Sequence, residues 1–335
     1  MKVMGTSLLH GRVRLKYPYN LSFARIDYVD SLVVQMQLEN NWVGFGEAVP
    51  LPGYSDETCE SLISDIGNVA SKMIGLDCEK ITEYVSNALP NSPFARSSLC
   101  VAKEMALGQI DLDSMIDHIP LVAPIASSMN AEEVLIKANE LIDSGYKTLK
   151  LKVGRDIESD VITVKTLLSK LGRDIKLRID ANQAYSETDA RRLLGLIIDS
   201  DSAIVEVVEQ PFGVNDWDRF ASLVRDYPQV PLMLDESIFD VGDLERAESI
   251  GTKFIKLKLF KHRGISELIE LATKANEIGM GVVLGNGVST DIGNLIEASL
   301  YSTGLFMGGF EGNGYEKLSR SVLNNPPYTK NGHMI

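Results

Sequence analysis

The chain has 335 residues, 44% of them hydrophobic, with a mean hydropathy of +0.01 and a formal net charge of −13. That length allows a large core, enough for a full barrel and a smaller second domain. The acidic balance (pI near 4.9) repels polyanions, so neither nucleic acid nor an anionic membrane is expected as partner, and an anionic substrate needs a local cation.

Residues 1–119 predict strands over 2–15 and 31–39, then helices over 57–74 and 96–115, an α+β segment of its own. From residue 120 the rhythm changes. Short β-branched or Leu-rich runs alternate with longer helix-patterned ones, the signature of βα units and a parallel sheet. Strands are predicted over 121–126, 148–153, 176–179, 203–208, 231–234, 254–259, 281–284 and 304–307. Helices are predicted over 131–144, 159–171, 188–199, 217–226, 241–250, 265–278 and 292–302, several behind Asn, Ser or Asp caps. Eight parallel strands imply an α/β fold of the (β/α)8 TIM-barrel type over 120–307. The tail, 308–335, has no strong period and is expected to fold back onto the first segment.

Cys59, Cys78 and Cys100 are odd in number and match no metal-ligand spacing. They read as buried free thiols of a reducing compartment, and a cytoplasmic location is expected. No apolar run of signal-peptide length precedes Arg12, and no run of about 18 apolar residues occurs, so export and membrane spanning are not expected.

In such barrels the site forms at the C-terminal ends of the strands. Strands two to six end in Lys150 and Lys152, then Asp180, Glu209 and Asp235, then Lys256 and Lys258. Side chains alternate along a strand, so the lysines of each Lys-Leu-Lys share one face. Strands two and six are four apart in a ring of eight, which sets their lysines across the mouth with the acids on the arc between. Three such carboxylates repel unless they are protonated or share a cation. Singly, each could cap the following helix. Together, with no His or Cys nearby, they read as a site for a hard divalent cation, Mg2+ or alternatively Mn2+. A lysine beside such a cation, or beside a second lysine, has its neutral form favoured, as a general base requires, and Lys150 is placed to tune Lys152. One amine on each side lets the proton α to a carboxylate leave from one face and return on the other, with the cation stabilising the enediolate between. The same set could assist a β-elimination, with Lys258 shielding the enolate.

These motifs resemble the enolase superfamily, and within it the muconate lactonizing enzyme subgroup of the mandelate racemase/muconate lactonizing enzyme family. Its Lys-x-Lys, Asp-x-Asn, Glu-Gln-Pro, Asp-Glu and strand-six Lys correspond to Lys150/Lys152, Asp180/Asn182, Glu209, Asp235 and Lys258. Residues 46–55 resemble its capping-domain loop and Gly264-Ile265 its Gly-Gly-Ile turn, so the likeness spans about residues 40–300. The resemblance implies an Mg2+-dependent enzyme that abstracts the α-proton of a small carboxylate. Lys152 and Lys258 are then the acid–base pair, Asp180, Glu209 and Asp235 the metal ligands, and Lys150, Asn182 and Glu236 supporting groups. Residues 1–119 and the tail would cap the barrel mouth. Lys256 becomes a bystander, a charged residue near the rim. Glu47 is evenly balanced between a substrate contact and an exposed acid. Substrate identity is expected to lie in loops 17–25 and 50–54 and at the ends of strands seven and eight, which makes Tyr54, Asn286 and Glu311 the candidate contacts.

Three departures narrow the reading. Mandelate racemase-like members use a strand-seven histidine, whereas here that strand ends Leu284-Gly285-Asn286-Gly287 and the histidines are His10, His118, His262 and His333. Lys261-His262-Arg263 replaces the usual ending of the strand-six turn and reads as solvated. Dipeptide epimerases place an Asp-x-Asp pair after strand eight to hold the substrate ammonium, and this chain offers Glu311-Gly312-Asn313. A substrate without an amine, such as a muconate or the precursor of o-succinylbenzoate, is unaffected by that gap. The expected outcome is racemisation, epimerisation or cycloisomerisation. The alternatives are syn-dehydration of the o-succinylbenzoate synthase kind and a non-catalytic small-carboxylate binder. A homo-oligomer is an open expectation.

Overall fold

In the computed structural model the described residues are 1–20, 25–51, 54–112, 115–126, 129–200 and 202–335. Residues 21–24, 52 and 53, parts of the two capping loops singled out from the sequence, lie outside them.

Strands β1 (Val3–Asn20), β2 (Arg25–Leu38) and β3 (Val43–Ala48) form an antiparallel sheet. The face that carries Leu32, Val34 and Met36 receives α1 (Cys59–Met73) and α3 (Pro93–Ala106), α2 (Cys78–Ala88) packs beside them, and Leu62, Ile66, Ile81, Val85 and Leu99 of the three helices join the same core. Helix α1 begins at a capping box in which Thr58 and Ser61 satisfy each other's backbone N–H groups. The sheet meets α3 almost backbone to backbone: a Cβ on Gly44 would lie 2.1 Å from Ala102 O, and one on Gly46 1.9 Å from Ser98 O. Sequence reading had no α2 and ran α3 on to residue 115. The helix stops at Ala106 because Leu107 caps it and Gly108 takes a left-handed φ of +73°.

Beyond β4 (Ile119–Pro120) seven parallel strands follow in sequential order: β5 (Val122–Ile125), β6 (Thr148–Lys152), β7 (Lys176–Asp180), β8 (Val205–Glu209), β9 (Leu232–Leu234), β10 (Phe254–Lys258) and β11 (Gly281–Gly285). They alternate with α4 (Ala131–Asp143), α5 (Ile157–Lys170), α6 (Glu187–Ile198), α7 (Trp217–Asp226), α8 (Val241–Ser249), α9 (Ile265–Glu277) and α10 (Asp291–Tyr301). Alternate strand residues, among them Leu149, Leu151, Leu177, Ile179, Leu232, Leu234, Ile255 and Leu257, join Val164, Leu167, Leu193, Phe220, Leu268 and Leu271 of the helices in one core. The opposite strand face holds a small apolar plug of Val207, Met233 and Val283, and the charged residues share that face.

The eighth strand, predicted over 304–307, is not formed as a strand. Met307 N–H donates to Val282 O at 2.8 Å, Phe310 N–H to Pro120 O at 2.7 Å, and Val122 N–H to Phe310 O at 2.9 Å. An irregular segment therefore closes the gap between β11 and β5. It bends because Gly308 adopts a φ of +67° and runs so close to the Arg178 guanidinium that a Cβ would sit 2.5 Å from Nη2.

The tail holds α11 (Gly314–Lys317), β12 (Thr329–Lys330) and β13 (His333–Met334), the last paired with both β12 and β4. Ser319 N–H donates to Arg14 O at 2.8 Å, which ties the tail to β1. The architecture is a (β/α)8-type barrel with an α+β cap drawn from the N-terminal segment and the tail. Among the described residues, no helix is long and apolar enough to cross a membrane.

Candidate active site

Parallel pairing sets the site out before any side chain is considered. Lys152 is opposite Asp180, and Asp180 opposite Glu209. Lys258 ends β10, four strands from β6. Asp180, Glu209, Asp235, Lys256 and Lys258 are all buried, while the Lys152 side chain is 30% exposed.

Ammonium groups neutralise the carboxylates. Lys150 Nζ lies 3.0 Å from Asp180 Oδ2, 3.0 Å from Glu209 Oε2 and 3.2 Å from Glu311 Oε2. Lys152 Nζ donates to Asn182 Oδ1 at 2.8 Å and stands 3.6 Å from Asp180 Oδ2. Lys258 Nζ is 2.6 Å from Asp235 Oδ2 and 2.9 Å from the Tyr54 hydroxyl, whose ring it also faces. Burial works against the Lys150 and Lys258 charges, yet the surrounding acids, led by Asp180 and Asp235 respectively, hold both ammoniums well above the ordinary lysine range. Burial also opposes the Asp180 charge, and Lys150, Lys152 and Lys256 outweigh it and keep this carboxyl below its usual range. Burial and the neighbouring Asp180 charge push Glu209 up to about 7, against Lys150 and Lys256. Two buried carboxylate oxygens, Asp235 Oδ1 and Glu236 Oε2, accept no hydrogen bond. Orphaned acceptors on an all-oxygen donor set fit a hard divalent cation.

The loops that carry these groups are fixed by Gln210. Its Nε2 donates to Phe212 O at 2.9 Å and Ser237 Oγ at 2.8 Å, and its Oε1 accepts from Asp235 N–H at 2.9 Å. Gln210 and Asn182 have φ of 38° and 42°. Such backbone persists only where neighbours impose it. Here Asn182 N–H donates to Asp180 Oδ1 at 3.0 Å, and Gln183 N–H to Gln210 O at 2.7 Å.

The supporting and contact candidates divide. Asn182 sits against Lys152 and reaches Glu236 Oε1 at 3.5 Å. Tyr54 touches Lys258, which also holds Asp235. Asn286 Nδ2 donates to Glu297 Oε2 at 2.6 Å, a carboxyl that burial pushes up to about 8. Glu311 does not stand open to a substrate. Its oxygens are 2.8 Å from Arg178 Nη1 and 3.0 Å from Lys256 Nζ, besides Lys150, and burial fails to overcome these cations, which hold it well below the usual range.

Four further readings from the sequence are corrected. Lys256 is not a rim charge: it is wholly buried and 2.5 Å from Glu209 Oε2. Glu47 is neither exposed nor at the lysines, because it accepts hydrogen bonds from Ser31, from the Thr290 backbone and hydroxyl, and from Gly293 N–H, tying β3 to the start of α10. Lys261 and His262 are buried, with Lys261 Nζ donating to Asp235 O at 2.7 Å. Cys59 is only partly buried, unlike Cys78 and Cys100. Sequence reading missed Arg178, which is fully buried and pairs with Glu206 Oε2 at 2.5 Å. Its position two residues before Asp180, on the same strand face, was the available signal.

Comparison with known proteins identifies the family and the fold. The family described as Enolase C-terminal domain-like matches residues 133–335. An L-Ala-D/L-Glu epimerase from Clostridium acetobutylicum is 30% identical over 82% of this chain and 80% of its own length. An o-succinylbenzoate synthase from Listeria innocua is also 30% identical, over 79% of this chain and 72% of its own. The dipeptide epimerase from Enterococcus faecalis V583, solved with Mg and the dipeptide L-Leu-L-Tyr, superimposes with a TM-score of 0.88 at 26% identity and covers 98% of this chain and 95% of that one.

Proposed function

This chain belongs to the Enolase C-terminal domain-like family and is an enzyme that abstracts the proton α to a carboxylate, and on that premise we propose that Lys152 and Lys258 are its acid–base pair and Asp180, Glu209 and Asp235 its Mg2+ ligands. One observation carries the assignment: two amines from strands four apart flank a single arc of buried carboxylates that keeps an orphaned oxygen on Asp235. Mg2+, when bound, supplies positive charge for the two developing oxyanions of the enediolate, and Mn2+ meets the same oxygen-ligand requirement.

The chain's own residues supply the rest. Asn182 orients the Lys152 amine, and the Tyr54 hydroxyl and Asp235 orient that of Lys258. With a substrate α-carbon between them, one amine takes the α-proton and becomes an ammonium while the opposite ammonium delivers a proton of its own to the other face, which inverts the centre. Gln210 holds the loops bearing Asp235 and Ser237 still while this happens.

Racemisation or epimerisation is the outcome we favour, on a carboxylate without a free ammonium, such as an N-acylated amino acid. Glu311, the acid in the region where an ammonium anchor is sought, is occupied by Lys150, Lys256 and Arg178. The same two amines and carboxylates serve a syn-dehydration, and the 30% identity to an o-succinylbenzoate synthase keeps it as the second reading.

Proton NMR in D2O with Mg2+, run over dipeptides, N-acyl amino acids and an o-succinylbenzoate precursor, separates them. Deuterium entering the α-position with inversion supports the first reading, and loss of water with a new aromatic product supports the second. Lys152→Ala and Lys258→Ala are each expected to cut turnover by at least about 100-fold. Wild-type rates in either variant would overturn the acid–base assignment, and no exchange with any substrate alongside unchanged ligand affinity in Lys152→Ala would mean that the barrel only binds.

A further inference from the structure

On the cap, three residues distant in sequence meet. His10 on β1, Asp30 on β2 and Cys59, the first residue of α1, each present a donor atom within 4.8 Å of the other two. His10 Nε2 is 2.9 Å from Asp30 Oδ1 and 3.5 Å from Cys59 Sγ. The β1–β2 register explains the meeting. Asp30 is opposite Arg12 and Leu32 opposite His10, so His10 and Asp30 are diagonal neighbours on one sheet face. That is the face on which α1 packs through its buried apolar residues, and the start of the helix brings Cys59 over the pair.

We propose that His10, Asp30 and Cys59 form a divalent transition-metal site of the zinc class, with its fourth position open to water. An imidazole, a carboxylate and a thiolate are the donors such an ion takes, and three protein ligands plus water is a recurrent set. The spacing suits it. Bonds of about 2.3 Å to sulfur and about 2.0 Å to nitrogen at a tetrahedral angle set those two donors about 3.5 Å apart, as His10 and Cys59 are. The nitrogen and oxygen need about 3.3 Å, a small opening of the His10–Asp30 hydrogen bond. His10 is exposed and the other two are partly so, which gives an ion a path in.

A reactive cysteine is the rival use of this trio, and it is disfavoured. Burial and the nearby Asp30 and Glu60 charges keep the Cys59 thiol protonated above its ordinary range, with only Arg12 opposing. A bound cation displaces that proton to solvent. Arg12 Nε, 3.8 Å from Asp30 Oδ1, competes for the carboxylate. Occupancy has a structural consequence. Cys59 directly follows the Thr58 cap, and the segment before it runs through Glu57, which accepts from Phe94 and Ala95 N–H, to Tyr54 at Lys258. A metal on Cys59 would pin the far end of the segment that carries Tyr54.

The test uses the full chain with Mg2+ in excess, titrated with Co2+ and then Zn2+. One equivalent of Co2+ is expected to give a near-ultraviolet thiolate-to-metal absorption that Zn2+ abolishes. Cys59→Ser and His10→Ala should remove the band, Cys78→Ser should keep it, and Arg12→Gln should tighten binding several-fold by freeing Asp30. Matching urea midpoints for the metal-free proteins exclude misfolding as the cause of a lost band. Absence of the band in the wild type, or its survival in Cys59→Ser or in His10→Ala at unchanged affinity, would overturn the site. None of these readings depends on the acid–base assignment at the barrel mouth.

Discussion

Arg178 carries a full charge with no exposed surface, and its three partners, Glu206, Glu311 and the Gly309 carbonyl, come from two segments of the barrel. A buried guanidinium is tolerable only while such partners remain, and removing it takes the ion-pair partner from Glu206 and one of three cations from Glu311. Arg178→Met is expected to lower stability by about 3–5 kcal/mol in urea unfolding; a shift within experimental error would mean that water already solvates the cluster. Glu297 makes a pH prediction. Burial raises its carboxyl to about 8 from an ordinary 4.5, and Asn294 only partly opposes this. The native state thus holds a proton that the unfolded chain has released, so this group's stabilisation is full below about pH 4.5 and is lost as pH rises towards about 8. Relative to wild type, Glu297→Gln should gain stability across that window, by at most about 1.4 kcal/mol per pH unit. Parallel curves from chemical unfolding at several pH values would refute the shift. Asp180, Glu209 and Asp235 could be found by reading the last residue of each strand. Arg178 and Lys256 could not be weighed, because burial of a charge is decided by partners far along the chain.

Strand β3 and helix α3 meet with no room for side chains, and two glycines in six residues of strand make that contact. Gly46→Ala would force a methyl group against the Ser98 carbonyl, which cannot move without the helix. Overpacking of this kind typically costs about 1–3 kcal/mol, and rigid backbone on both sides sets the upper end here. Gly11→Ala on β1 is the control, since nothing lies within 4 Å of a Cβ there. Equal thermal shifts for the two variants would show that contact with α3 is not what excludes a side chain at Gly46. Seven of the barrel helices were legible because their apolar positions recur at helical spacing and their starts carry caps such as Asn130, Ser186 and Asp240. The eighth strand was misread because a short Gly-rich apolar run fits a strand pattern, whereas Gly308 turns the backbone with a φ of +67° over the Arg178 and Glu206 side chains beneath it.

Across the whole molecule, acids and lysines fill the upper part of the barrel face that elsewhere is plugged by Val207, Met233 and Val283. Bound Mg2+ would satisfy the acids, so mass action should stabilise the fold, by about 2.7 kcal/mol when the ion is present at 100 times its Kd. Chelation is expected to abolish proton exchange and lower the melting temperature, with Mg2+ restoring both; a melting temperature indifferent to chelator and Mg2+ would argue against the three-acid site. The sequence by itself determined the alternation of strands and helices, the barrel class, and which residue types stand at the strand ends, because side-chain period and strand order are local and countable. The tertiary structure alone decided which of those charges are paired, that Glu47 and Glu311 are bound internally, how an irregular segment closes the barrel, and that His10, Asp30 and Cys59 meet. Those outcomes depend on contacts between segments up to 246 residues apart, and pairing at that separation leaves no period in the chain to read.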